Sequence, residues 1–185
     1  MGEAIRSRMS PTSSKTRTSS KSGTTFTSGE RVPVISAALY SEMKERCLAT
    51  PCHTQDSICY YVTDPTDMSH PGGLFTGDTL FIGGCGRFFE GTADEMIHAL
   101  KYLGSLPDKT IVYNGHEYTA SNLAFGRFIE PNSSGIARLS EIVKNNDITT
   151  GKTTVGEEKE WNVFMRLNAP TVRQVSLKTP ILLHL

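Results

Sequence analysis

The sequence predicts an α/β protein, and two observations support this class. Short runs of β-branched and aromatic residues, such as residues 58–62 and 110–114, are typical of strands. Segments with apolar residues at helical spacing, such as residues 93–104, lie between and after them. Strands that are followed by helices in this way are typical of α/β folds.

Composition limits the range of functions. The chain has 185 residues and a formal net charge of zero, which fits one domain. We expect no nucleic-acid partner, because there is no basic excess and no basic–aromatic stripe. We expect no membrane partner either, since no apolar run approaches the length of a membrane span. The four cysteines form no CxxC pair, and without a secretory signal they predict reduced thiols in an intracellular protein.

Residues 1–30 differ in composition from the remainder of the chain. They are rich in Ser, Thr, Lys and Arg and contain almost no large apolar residues, so we expect a disordered tail. An organellar presequence has a similar composition. We favour the plain tail because no amphipathic apolar face is visible. The predicted location is therefore cytoplasmic, with a mitochondrial location left open.

The elements that follow are predicted from local patterns. The turn cluster at residues 64–73 separates two strand-like runs, which predicts a hairpin. In order, the first part contains a short strand at 31–36, a short helix at 38–49, a strand at 58–62 and a second strand at 74–82.

A capping box begins the best-defined helix. Thr92 is its N-cap and Glu95 the third helical residue, which predicts a helix over residues 93–104. The later elements are a strand at 110–114, helices at 119–130 and 135–146, a loop from Gly151 to about Trp161, and a last segment from Val175 without a helical pattern. We divide the chain into a tail (1–30), an α/β domain (31–130) and a helical, substrate-binding region (131–185).

Asp78 lies within an apolar run, where a buried carboxylate is costly unless it is paired or bound to a metal. His53 precedes a predicted strand and His116 follows one. Histidine and aspartate suit zinc or iron, so these three residues are candidate metal ligands. A purely structural role is the alternative, because Asp78 alone could be a turn or N-cap residue. We interpret His70, His98 and His184 as solvated or capping histidines.

Three long stretches resemble one known family. TPCHTQDSICY, LFTGDTLFIGGCGRFFEGTADEM and VYNGHEYT, in this order and spacing, are similar to glyoxalase II, the hydroxyacylglutathione hydrolase of the metallo-β-lactamase superfamily. The similarity is close over about residues 47–130. It implies an αββα sandwich fold and a site for two metal ions, either zinc or a zinc–iron mixture.

The resemblance also implies roles for particular residues. Asp78 corresponds to the catalytic bridge between the two ions, which also share a hydroxide. His53 corresponds to a ligand of the first ion and His116 to a ligand of the second. Arg87 and Tyr118 correspond to residues that bind the glutathione part of the substrate. Phe89 stands where some members have a further tyrosine.

The implied reaction is hydrolysis of a glutathione thioester. In the family, S-D-lactoylglutathione becomes D-lactate and glutathione, the second step of methylglyoxal detoxification. Metal ions supply hydroxide near neutral pH and stabilise the oxyanion of the tetrahedral intermediate. The leaving thiolate needs no strong general acid, because a thiol has a pKa of about 8.5.

One departure from the family limits this expectation. Family members carry a THxHxDH motif that supplies four further ligands, and this sequence contains no HxHxDH. We therefore expect an N-terminally truncated, partial αββα sandwich with an open apolar sheet face and two protein ligands for each ion. Activity is then in doubt, and a non-catalytic remnant that binds metal or glutathione weakly is the alternative. A mononuclear-iron persulfide dioxygenase is disfavoured, because GDTLFIGGCGRFFEGTADEM fits the hydrolase pattern better.

Overall fold

The structure is a computed structural model, and it describes residues 43–67 and 69–178. Within these residues a four-stranded sheet, a two-stranded hairpin and five α-helices form an α/β fold, which confirms the predicted class. The predicted tail at 1–30 and the predicted strand at 31–36 lie outside the described residues. The domain boundary placed at residue 130 stays a prediction.

The strands are β1 (Lys44–Ala49), β2 (Ile58–Thr63), β3 (Gly73–Gly77), β4 (Leu80–Phe81), β5 (Gly84–Cys85) and β6 (Ile111–Asn114). The main sheet has the strand order β1-β2-β3-β6. Its first three strands are antiparallel, with Tyr61 opposite Leu74 across the predicted hairpin, and β6 runs parallel to β3.

One helix prediction and one strand prediction were wrong in detail. Residues 44–49 form β1 and not the end of a helix, because six residue pairs with β2 outweigh the helical preference of Lys, Glu, Leu and Ala. The predicted strand at 74–82 is interrupted after Gly77, where Thr79 N–H donates to Thr76 O over 3.0 Å and closes a turn. Asp78 lies in that turn.

The helices mostly agree with the sequence prediction. The capping box of Thr92 and Glu95 begins α1 as expected. A second capping box, formed by Thr154 and Glu157, begins α4 inside the segment that we predicted as a loop, so that prediction was wrong. The last helix includes residues 175–178, so the prediction of no helical pattern from Val175 was wrong there, while residues 179–185 lie outside the described residues. The helices are α1 (Ala93–Gly104), α2 (Thr119–Ile129), α3 (Ser134–Asn145), α4 (Val155–Trp161) and α5 (Pro170–Lys178).

The two faces of the main sheet differ in burial. Leu48, Leu74 and Val112 point to one face and pack in the same buried cluster as Leu100 of α1. On the opposite face Ile58, Tyr60 and Phe75 are 46%, 41% and 46% exposed. An exposed apolar face of this kind is the association liability expected from the sequence. Among the described residues, no helix combines the length and apolarity needed to span a membrane.

Candidate functional site

The candidate site lies at one end of the main sheet, where three loops meet. His53 lies in the loop after β1, Asp78 in the turn after β3 and His116 in the loop after β6. The carboxyl ends of β1, β3 and β6 lie at the same end of the sheet. This follows because β1 and β3 are both antiparallel to β2, and β6 is parallel to β3. Loops at the carboxyl ends of strands are frequent positions for ligand sites in α/β folds.

The three predicted metal ligands converge at this edge. His53 Nε2 lies 3.3 Å from Asp78 Oδ2, and His116 Nε2 lies 3.3 Å from Asp78 Oδ1. Each carboxylate oxygen therefore faces a different imidazole. The side chain of Asp78 is 30% exposed, so the arrangement is open to solvent and to ligands.

The ring of His53 is oriented by the backbone. Its Nδ1 lies 2.9 Å from the carbonyl oxygen of Arg87, and a carbonyl oxygen can only accept, so Nδ1 carries the proton. In the neutral ring Nε2 is then an acceptor, and it faces an acceptor oxygen of Asp78. This pairing is favourable only with a second proton on the ring or a cation between the two atoms. A ligand histidine whose other nitrogen is fixed in this way is typical of metal sites.

Two glycines allow the close approach of these loops. A Cβ on Gly86 would lie 1.7 Å from the backbone oxygen of Asp78 and 3.3 Å from His53 Nδ1. A Cβ on Gly115 would lie 2.8 Å from Asp78 Oδ1. A side chain at either position would therefore collide with Asp78, which explains why these two loops carry glycine.

The His116 loop is fixed through its neighbour Glu117. The Glu117 carboxylate accepts from the backbone N–H and the hydroxyl of Thr149, over 2.8 and 2.6 Å. Partial burial of Glu117 raises its pKa, but hydrogen bonds from Thr149 and Thr150 outweigh this effect, so its pKa lies below the usual value. Asn114 Nδ2 also donates to the carbonyl oxygen of His116. The sequence analysis assigned no role to Glu117, although its position next to the candidate ligand His116 would have suggested one.

A cleft of about 680 Å³ surrounds the site. Arg87 and Tyr118, the predicted glutathione-binding residues, both line it, so all five predicted site residues share one cleft. Within the described residues Arg87 has no carboxylate partner at ion-pair distance, and Tyr118 is 50% exposed. Side chains that the sequence analysis did not assign to the site also line the cleft, namely Phe81, Cys85, Ser121 and Asn122.

Cys85 is the one thiol that lines this cleft within the described part of the chain. Burial raises the pKa of Cys85 to about 12. The thiol therefore stays protonated at neutral pH and is a poor nucleophile.

The donor types in the site fit zinc or iron, but the number of donors is small. Within residues 43–67 and 69–178, no group of three His, Cys, Asp or Glu side chains is placed to bind one metal ion. Each side of Asp78 instead offers one imidazole nitrogen and one carboxylate oxygen. Catalytic zinc normally has three protein ligands. The described residues thus offer two candidate metal positions, each with one histidine and the shared Asp78 carboxylate.

This fold and cleft define an α/β protein with a candidate metal-dependent site at the end of its sheet. Residues 117–181 match the family model described as hydroxyacylglutathione hydrolase C-terminus. The chain is therefore similar to glyoxalase II over the part that it shares with these proteins, which confirms the predicted resemblance.

Similar curated proteins agree with the family model. The chain is 48% identical over 134 residues to a "probable hydroxyacylglutathione hydrolase" of Schizosaccharomyces pombe, covering 72% of this chain and 50% of the relative. It is 44% identical to the cytoplasmic isozyme of hydroxyacylglutathione hydrolase of Saccharomyces cerevisiae, covering 73% and 52%. The cytoplasmic hydroxyacylglutathione hydrolase of Arabidopsis thaliana is also 44% identical, with 72% and 53% covered. The chain therefore spans about half the length of these relatives.

Solved structures show a weaker likeness. A metallo-β-lactamase from Staphylococcus aureus has a TM-score of 0.46 at 24% identity, covering 76% of this chain and 36% of that chain. ETHE1 from Myxococcus xanthus has a TM-score of 0.42 at 27% identity, covering 75% and 52%.

Proposed function

We propose that the cleft around Asp78 is part of a metal-dependent site that hydrolyses glutathione thioesters, with S-D-lactoylglutathione as the substrate. The observation that carries this proposal is the pair of 3.3 Å contacts from His53 and His116 to the two oxygens of Asp78. The names of the relatives support the reaction class. The location that we propose is the cytoplasm, as in the names of two relatives.

His53, Asp78 and His116 would hold the metal, for which zinc or iron fits the donor set. When bound, such ions generate hydroxide from water near neutral pH and polarise the thioester carbonyl. The chain itself contributes orientation, because the Arg87 carbonyl fixes the His53 ring and leaves Nε2 free to donate its lone pair. Asp78 holds the two imidazoles at one centre.

Substrate binding would depend on Arg87 and Tyr118. The guanidinium of Arg87 is exposed at the cleft and suits a carboxylate of the glutathione moiety. The Tyr118 hydroxyl can donate to or accept from its peptide groups. Water adds to the thioester, the acid is released and the sulfur leaves as a thiolate that the solvent protonates. The protonated thiol of Cys85 takes no nucleophilic part.

The test uses the full chain incubated with zinc or ferrous iron. We expect metal uptake, binding of a stable S-alkylglutathione and loss of the thioester absorbance of S-D-lactoylglutathione. Asp78→Asn, which keeps the shape but removes the charge, should abolish metal uptake and turnover. His98→Gln is the matched control, because His98 is exposed on α1. A wild-type chain that takes up no metal and binds no S-alkylglutathione would contradict the proposal.

A second candidate is favoured by the ligand count. Since each ion position has two described protein ligands, the chain could bind metal and glutathione without turning over substrate. In the same assay this candidate predicts weak metal uptake and S-alkylglutathione binding, together with unchanged thioester absorbance.

A further inference from the structure

The β4–β5 hairpin contributes one side of the cleft. The Phe81 ring meets the Tyr118 ring edge-on, with centroids 5.2 Å apart, and lies 6.3 Å from the His116 ring. The rings of His116 and Tyr118 stack at 5.2 Å. These three rings, which we call the aromatic wall, fix one another's orientation because aromatic pairs prefer edge-on and offset-stacked geometries.

The turn of this hairpin has little backbone pairing of its own. Residues 81–84 are buried, and each strand of the hairpin is only two residues long. Buried backbone N–H and C=O groups need hydrogen-bond partners. The position of Phe81 therefore depends on partners outside the hairpin.

Side chains from the later helices provide these partners. Asn162 Nδ2 donates to the carbonyl oxygen of Gly84 over 2.9 Å and to that of Phe81 over 3.3 Å. The Gly83 N–H donates to Glu158 Oε2 over 2.8 Å. Asn122 Nδ2 donates to the carbonyl oxygen of Ile82 over 3.0 Å.

Glu158 and Asn162 act as one unit. Glu158 Oε2 is a third acceptor near Asn162 Nδ2, at 3.0 Å, and shares one of its two N–H groups. Trp161 Nε1 donates to Glu158 Oε1 over 2.9 Å. Both Glu158 and Asn162 are fully buried. Within the described part of the chain, Glu158 has no cation at ion-pair distance. Its carboxyl group is thus a buried hydrogen-bond acceptor directed at the hairpin. Burial of such a group costs free energy unless its hydrogen bonds are made.

We propose that Glu158 and Asn162 are positioning residues for the aromatic wall: they hold the β4–β5 hairpin and thereby set the orientation of His116 and Tyr118. This inference rests on the proposed function, because His116 and Tyr118 are the metal and glutathione candidates. Neither Glu158 nor Asn162 lines the cleft, so they act only through Phe81. The C-terminal helices thus complete a site whose metal candidates come from the preceding residues.

Histidine side-chain NMR tests the proposal on the full chain. In the wild type the neighbouring rings displace the His116 resonances by their ring currents. In Glu158→Gln and Asn162→Ala, we expect this displacement to be lost while the resonances of His98 stay in place. Glu160→Gln is the matched control, because Glu160 lies on the same helix and its side chain is half exposed. His116→Gln assigns the signal, and far-ultraviolet circular dichroism reports that each variant is folded.

A purely stabilising role would lower the unfolding midpoint of both variants without moving the His116 resonances of the folded protein, and that result would overturn the proposal. In both variants the binding of S-alkylglutathione should weaken about tenfold, equivalent to about 1.4 kcal/mol.

If neither variant folds, hydrogen exchange of the backbone amides in the wild type tests the proposal. We expect the Gly83 amide to be as protected as those of β3, and rapid exchange there would overturn the proposal. If the proposed function fails but this inference holds, the wild type binds no S-alkylglutathione, while Glu158→Gln and Asn162→Ala still move the His116 resonances.

Discussion

The two imidazoles that meet Asp78 are held in different ways. The His53 side chain is 20% exposed, and the Arg87 carbonyl fixes its ring. The His116 side chain is 53% exposed, and its ring is oriented by stacking on Tyr118. The His53 ring also contacts the Phe89 ring at 4.9 Å, but a direct hydrogen bond sets its orientation. The His116 side depends on aromatic packing and on the Glu117–Thr149 contact. We expect metal to occupy the His53 side first.

The largest effect should come from Gly86→Ala on the His53 side. The new Cβ would lie 1.7 Å from a backbone atom, the Asp78 oxygen, which cannot move aside without shifting the turn. We expect a loss of about 3 kcal/mol in the free energy of unfolding by urea denaturation, together with loss of metal uptake. Gly115→Ala should cost less, because its Cβ would lie 3.0 Å from the nearest backbone atoms, those of Gly77, and 2.8 Å from Asp78 Oδ1. Equal stability losses in the two variants would contradict this difference.

A pH-dependent effect should come from Glu158, which supports the His116 side. Burial raises the pKa of Glu158 from 4.5 to about 7, despite hydrogen bonds from Gly83, Trp161 and Asn162 that lower it. The folded state therefore favours the protonated carboxyl group. Its contribution to stability is complete below the unfolded value of 4.5 and is lost as the pH rises through about 7.

Urea unfolding of the wild type and Glu158→Gln across this pH range measures that contribution. The shift corresponds to about 3 kcal/mol, so the variant should gain this amount relative to the wild type as the pH rises. A difference between the two proteins that stays constant with pH would mean that Glu158 titrates normally in the folded chain.

A smaller effect should come from the contact that holds the His116 loop. Thr149→Val removes the hydroxyl that donates to Glu117 over 2.6 Å but keeps the shape of the side chain. We expect a loss of about 1 kcal/mol in the free energy of unfolding. In histidine NMR the His116 resonances should move and those of His53 should not. If both move equally, the two sides of the site are not independent.

The smallest effect on stability should come from Tyr118→Phe. The ring that stacks on His116 is retained, and only the hydroxyl of this half-exposed side chain is lost, so the change in unfolding free energy should be below about 0.5 kcal/mol. Calorimetry should show weaker binding of S-alkylglutathione and unchanged metal affinity. Unchanged glutathione binding would exclude a hydroxyl contact from Tyr118.

Local sequence signals were sufficient for several elements, whereas the choice of His53, Asp78 and His116 as metal candidates also needed the resemblance and stays a prediction. The capping box of Thr92 and Glu95 was readable because it depends on residues three apart. Strand β1 was not, since residues 44–49 prefer helix locally and only pairing with β2 makes them a strand. The support from Glu158 to the hairpin also escaped prediction, because its hydrogen bond to Gly83 joins residues 75 positions apart.

The central claim is that Asp78 joins His53 and His116 into one metal-binding centre. The most direct test is a zinc titration of the full chain followed by histidine side-chain NMR. We predict that the resonances of both His53 and His116 respond to zinc in the wild type, that neither responds in Asp78→Asn, and that His98 responds in neither protein. A titration in which Asp78→Asn takes up zinc like the wild type, or in which neither His53 nor His116 responds, would contradict the claim.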